Sequence, residues 1–287
     1  DWAIISEDIA GNVFWDKIDN SSVLTGQGTT GNIAIWTAPR ELGDAPIKLG
    51  AGTQSLIFND AVSSNGDYAN SFGSASSATG VQSFSAGYAT DAQGGASQAF
   101  GNQTTATGDY SFAAGNDSIA NGTSSLALGS NTTADGKFST ALGNTSISTG
   151  EASFAVGFQA KSTADYSVAF GDSSEALGQH SFAGGKDSIA SQQASFAFGE
   201  NSFAQGQSTT SIGSDVTAKG NNSIALGKDS IAEQDGSIVI GLSNVAGSAG
   251  NGGGVAIGSG NNALGYDSVA IGNGNNVDAT ANGAVVM

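Results

Sequence analysis

The sequence predicts an all-β chain, a parallel β-solenoid of 14-residue coils that carries a small β-rich N-terminal module. Three observations carry that expectation. Glycine recurs every 14 residues from Gly73 through Gly87, Gly101 and onward to Gly241, and self-similarity at a fixed period marks a repeat architecture. Each of these glycines closes a short segment with the alternation of a strand. The composition, 44 Gly with only 2 Pro and 11% charged residues, supplies many turns without the Gly-X-Y period of collagen or the proline of an extended linker.

The N-terminal module comes first. Residues 1–60 lack the 14-residue register and hold all three tryptophans, Trp2, Trp15 and Trp36, and both prolines, Pro39 and Pro46. Runs such as Asn32-Ile33-Ala34-Ile35-Trp36 and Ser55-Leu56-Ile57-Phe58, bounded by Gly and Pro, read as strands.

Residues 61–287 are the coils. Before each anchor glycine stands Ser, apolar, Ala, apolar, Gly, as in Ser125-Leu126-Ala127-Leu128-Gly129 and Ser223-Ile224-Ala225-Leu226-Gly227. The period of two puts the large apolar pair on one face and the alanine on the other, and the large pair is expected to form the core. Phe84, Phe112, Phe154, Phe182 and Phe196 share one of these positions and are expected to stack inside. Five residues after the anchor another alanine, such as Ala106, Ala120 or Ala134, marks a second, shorter strand. Seven residues after it a second glycine recurs, from Gly80 and Gly94 to Gly220, replaced by Ala164, Gln192 and Gln234. Glycine at both corners is expected to take positive φ. The register shifts by three residues within the stretch from Gly247 to Gly254, resumes at Gly258 and Gly272, and gives fifteen coils. A coil with so few apolar side chains encloses little volume, so oligomerisation through the alanine faces is expected to bury more apolar area.

Composition narrows the function classes. The net charge of -17 comes from 25 acidic residues against 8 basic ones, and Lys137, Lys161, Lys186, Lys219 and Lys228 are scattered singly. Nucleic acid and anionic membranes need clustered cations, so neither is a partner. There is no cysteine, hence no disulfide staple, thiolate nucleophile or cysteine-based zinc site. No apolar run approaches the roughly 20 residues of a membrane-spanning helix.

Catalytic and metal-binding constellations are absent from the pattern, and no catalytic, cofactor or metal residue is assigned. His180 directly precedes Ser181 at a coil boundary, where adjacency in sequence does not build a nucleophile and base. Glu151, Asp165, Asp172, Glu175 and Glu200 are the acids a polysaccharide-cleaving spike would draw on, but a thin coil offers no cleft, and such a site would need an intersubunit groove. Asp117, Asp187 and Asp229, each followed by Ser-Ile-Ala, are read as side-chain turns, not calcium ligands. Gly252-Gly253-Gly254 and Gly272-Asn273-Gly274 lack the following helix of a phosphate loop. Tyr68, Tyr88, Tyr110, Tyr166 and Tyr266 fall at or near corners, where some are expected to be exposed contact residues.

The 14-residue unit, in forms such as Ser153-Phe154-Ala155-Val156-Gly157 and Asp267-Ser268-Val269-Ala270-Ile271-Gly272, resembles the head repeat of trimeric autotransporter adhesins of the YadA type, over about three quarters of the chain. The resemblance implies a left-handed parallel β-roll, three chains per head, and adhesion to host surfaces. The segment Leu24-Thr25-Gly26-Gln27-Gly28-Thr29-Thr30-Gly31-Asn32-Ile33-Ala34-Ile35-Trp36, followed by Leu42-Gly43-Asp44-Ala45-Pro46-Ile47, resembles a linker element of phage tail fibres. Together they imply a non-enzymatic homotrimeric fibre without a cofactor. It would be located in a virion, joined to other fibre proteins at its N-terminal end, and would touch a host receptor or glycan through residues the sequence does not name. The alternatives are the head of a bacterial trimeric adhesin at the cell surface, and a polysaccharide-degrading tail spike.

Overall fold

The computed structural model describes residues 63–248 and 252–287 and, upstream of them, the backbone of six short strands. The tryptophan and proline side chains of the N-terminal module lie outside the described residues. Within that module Trp2–Glu7 pairs antiparallel with Val13–Lys17, and Ile35–Ala38 with Glu41–Gly43.

From Ser63 onward the chain is a parallel β-solenoid. Most coils have a five-residue strand and a two-residue strand, as in Leu126–Ser130 and Thr133–Ala134, and in two coils they run together as one nine-residue strand, Phe196–Ala204 and Thr210–Ala218. Every strand pairs in parallel with its equivalent one coil away: Leu126 faces Thr140, Ala127 faces Ala141, and Gly129 faces Gly143. The strand Leu56–Phe58, inside the expected N-terminal module, already pairs in this 14-residue register with Asn70–Phe72, and antiparallel with Ile47–Leu49 on its other side. At the insertion the register lengthens as the sequence indicates, with Ile238 facing Val255 and Gly241 facing Gly258.

The inside of the coil reverses the expectation. Ala99, Ala113, Ala127 and Ala141 on the long strand, and Ala106, Ala120 and Ala134 on the short one, are completely buried, and they form one continuous cluster. Their companions inside are Ser118, Ser125 and Thr132, likewise buried. Leu126 and Leu128 point outward and are only partly covered. The period of two thus sorted the residues onto faces, but the large apolar face is the outer one. The reason is dimensional. Ordinary packed sheets stand about 10 Å apart, whereas the two strands of a coil here are joined by corners of only a few residues and close in on a gap filled mostly by Ala and Ser, with nothing larger than Val, Thr or Asn among the described residues. A core this small contributes little hydrophobic burial, so the coil-to-coil hydrogen-bond ladder carries more of the stability.

Three of the serines that replace alanine in the columns have partners inside: Ser148 is hydrogen-bonded to Ser153 at 2.6 Å, Ser162 to Ser167 at 2.6 Å, and Ser202 donates to Ser211 at 3.0 Å. Toward the C-terminal end the inner hydroxyl position becomes asparagine. Asn244 and Asn261 are fully buried. The Asn261 amide nitrogen donates to the carbonyls of Ile257 (2.9 Å) and Gly272 (2.8 Å), and its backbone N–H donates to Asn244 Oδ1 at 2.9 Å.

The two recurrent glycines differ in cause. Gly129 has φ of 138°, and a Cβ there would sit 1.8 Å from the Gly143 carbonyl oxygen. Gly122 is not in the positive-φ region, correcting the expectation for the second glycine; a Cβ would meet the Gly136 carbonyl oxygen at 1.9 Å. This explains the sequence. The position barred by space alone admits Ala164, Gln192 and Gln234, while the position barred by both space and φ is glycine in every coil. The left-handed corners fall instead on residues that are mostly not glycine, two per coil, such as Tyr110 (φ 59°) and Asp117 (φ 51°). Their backbone N–H groups donate to the previous coil, Tyr110 to Gly95 and Asp117 to Asn102, which fixes the conformation despite its cost.

Candidate attachment surface

Function falls to the outside of the coil, which carries three kinds of row. The first is the apolar stripe on the long strand. In some coils a bulky residue goes with a small one, as Phe84 with Ala86, Phe112 with Ala114 and Phe182 with Gly184, and in others both are bulky, as Leu126 with Leu128 and Phe196 with Phe198. The Phe residues expected inside do stack, but on this outer face. Phe84 lies 5.2 Å from Phe72 and from Phe100, and Phe182 lies 4.9 Å from Phe196. A Cβ at Gly184 would touch the rings of Phe182 and Phe198 at 2.8 Å. Phe170 is 53% exposed and Phe198 47%. Toward the C-terminal end the stripe turns aliphatic through Ile224, Ile238, Ile240, Val255 and Ile257. Because the alanines point inward, it is this stripe, and not the alanine face, that can meet another chain.

The second row is charged. Lys161 pairs with Glu175 at 2.7 Å, Lys186 with Glu200 at 3.2 Å, and Lys219 with Glu233 at 2.8 Å, each across one coil. The hydrogen bond that Lys186 donates to Glu200, and then the charge of Glu200, hold the Lys186 ammonium above its usual range. Asp215 is held below the usual carboxylate range, first by the Asn201 amide at 2.9 Å and then by the Ser214 hydroxyl. Four of the five acids considered for a cleaving spike have partners on this surface. Asp165 accepts the Glu151 backbone N–H at 2.8 Å, Asp172 accepts from the Ser173 hydroxyl at 3.0 Å, and Glu175 and Glu200 face their lysines.

The third row is the corners. His180 sits at a left-handed corner with its ring stacked on Tyr166, centroids 5.1 Å apart, while Ser181 is buried inside, so the two side chains point apart. Asp117, Asp187 and Asp229 occupy the other corner of their coils at φ of 51° to 54°, and the Asp117 carboxylate accepts from the Asn116 amide at 2.6 Å. Among the described residues no group of three or more metal-ligating side chains converges. Gly252 and Gly253 line an open recess of about 530 Å³ beside Tyr266, Asp235 and Asp267.

A helix-free solenoid with a core of alanine and serine, an outer apolar stripe and no converging reactive groups among its described residues defines a repetitive scaffold class. Residues 92–118, 120–146, 148–174, 190–215, 218–244 and 249–275 match the model of the YadA head domain repeat. Those segments make up more than half of the chain, which belongs to the YadA head repeat family. Comparison with curated proteins gave no match.

Proposed function

We propose that three copies of the chain associate through the apolar stripe into a non-enzymatic fibre that attaches its bearer to a host surface. The observation that carries this reading is the inversion of the coil. Large apolar side chains line one outer face from Phe72 to Ile271, with Phe170 and Phe198 about half exposed, and contiguous apolar patches of this kind mark association sites. Covering a half-exposed Phe or Ile recovers roughly 1 kcal/mol, and the stripe repeats this coil after coil. Membership of the YadA head family favours three chains and an adhesin-like, extracellular role.

The finer reading is a virion tail fibre, with the N-terminal module joined to other virion proteins. Its support is the resemblance of residues 24–36 and 42–47 to a tail-fibre linker. The second reading is the head of a bacterial surface adhesin, which the family match favours by itself. The gene around this segment separates them, since an adhesin continues into heptads and a membrane anchor.

The test of the shared premise is the absolute native mass by light scattering. Three times the 28.1 kDa chain mass is the expected result. A monomer at micromolar concentration would overturn the association and, with it, the fibre.

A further inference from the structure

The two left-handed corners of each coil have the same backbone conformation and very different residues. One corner holds Ala, Gln, Asp, Asn, Thr, Ser or Gly throughout, from Ala75 (φ 56°) to Gly274 (φ 71°). The other holds small or polar residues such as Gln82, Ala96 and Ser124 in most coils, but Tyr68, Tyr110, Phe138, Tyr166 and His180 in five, all with φ of 58° to 60° and all in the N-terminal two thirds of the rod. A bulky residue at positive φ is strained, and an exposed ring gains nothing from burial; Tyr110 is 71% exposed. Asn or Gly would fit the same corner more easily, as Asn222 and Gly236 do. Both corners carry the same left-handed backbone, so what sets this one apart is its exposed rings, and rings held out at a loop position that its counterpart leaves without them point to use at that site.

The rings are also spaced and braced. Tyr110, Phe138 and Tyr166 stand two coils apart, about 10 Å at the strand spacing, with Ser124 and Ala152 between them. That interval is the length of a disaccharide. Lys137 sits 5.0 Å from the Phe138 ring centroid and His180 stacks on Tyr166, so each of these rings is braced on one side. Beside them Asp109 and Asp165 are exposed carboxylates fixed in place by the N–H groups of Gly95 and Glu151, each at 2.8 Å. Flat apolar rings with fixed acceptors beside them suit the C–H faces and hydroxyls of a sugar chain. The charge of -17 opposes an anionic one.

We infer that this corner binds an uncharged polysaccharide laid along the rod, with Tyr110, Phe138 and Tyr166 as stacking platforms. The inference rests on the attachment reading and names its ligand class. It is tested on the native full chain with immobilised neutral polysaccharides (unbranched glucan, galactan and mannan) and with alginate as the anionic control. The variant is Tyr110→Asn, Phe138→Asn and Tyr166→Asn combined. The expected result is retention of the wild type on at least one neutral polymer and not on alginate, at least a tenfold loss in the variant, and a melting temperature no lower than that of the wild type. Equal retention of the two proteins, retention of the wild type on alginate alone or on nothing, or a variant that loses binding only together with thermal stability would each overturn it. Adhesion of both proteins to host cells separates the two levels. If both adhere equally, the corner inference fails and the attachment reading stands; if the wild type adheres to nothing, the attachment reading itself fails.

Discussion

Replacing Gly129 by alanine places a Cβ 1.8 Å from the Gly143 carbonyl oxygen, at φ of 138°. Real Cβ contacts essentially never fall under 3.0 Å, so the two coils must separate by more than about 1 Å along a ladder that pairs Leu126–Ser130 with Thr140–Asn144. Loosening two or three of those backbone hydrogen bonds costs about 1 kcal/mol each, and the φ value adds roughly 1–2 kcal/mol. The total is about 4 kcal/mol, in the range that only a few named mechanisms reach. Gly236→Ala is the matched control. Its φ is 72° and no atom lies within 4 Å of the added carbon, leaving a left-handed penalty of about 1 kcal/mol. Urea unfolding of both variants and the wild type at one protein concentration measures the difference, expected at about 3 kcal/mol. Equal shifts for the two variants would refute the argument that the anchor glycine is fixed by coil-to-coil contact as well as by φ.

Ala127→Leu overfills a completely buried site between Ala113 and Ala141 and is expected to cost at least the 1–3 kcal/mol typical of overpacking, read as a lower urea midpoint. Ile212→Asp with Ile240→Asp places two charges in the outer stripe, and the native mass by light scattering should fall toward that of one chain while circular dichroism keeps its β signature. Asn261→Ala removes the donors to Ile257 and Gly272 and strands part-buried carbonyls, for an expected loss of roughly 1–3 kcal/mol in thermal or urea unfolding. For pH, Asp215 is lowered by Asn201 and Ser214, so its contribution is present above the ordinary aspartate range and lost as pH falls through its lower folded value. Lys186 is raised by Glu200, so its contribution is present below the ordinary lysine range and lost as pH climbs beyond it. Both groups are on the surface, so the melting temperature of Asp215→Asn should lie only slightly below that of wild type above the carboxylate range and converge with it as pH falls through that range.

Much of this architecture was legible in the sequence. The 14-residue glycine register gave the coil, and the alternation around Leu126, Ala127 and Leu128 gave the strand and its two faces. The direction of those faces was not legible from hydropathy, which sends leucine and phenylalanine inward. What decides it is volume: 14 residues with two corners leave room for Ala127, Ser125 and Ala120, not for Leu128 or Phe182. The same blind spot placed the Phe84 and Phe182 stacks inside. Glycine roles were half legible, because the sequence shows where Gly122 and Gly129 recur but not that only Gly129 has positive φ. The corner rings were seen as separate tyrosines. Following one position around the coil would have joined Phe138 and His180 to them and shown that the opposite corner has none.

The chain has no cysteine, so single thiols can be set at three successive positions, Leu126→Cys, Ala127→Cys and Leu128→Cys, and their alkylation rates compared. The account predicts that position 127 is protected until the coil unfolds, whatever the protein concentration. Positions 126 and 128 should react readily once the assembly is diluted to single chains, and slowly while it is associated. Rapid reaction at 127 with deep protection of 126 and 128 in the dissociated chain would contradict the small-residue core and the outward apolar stripe together.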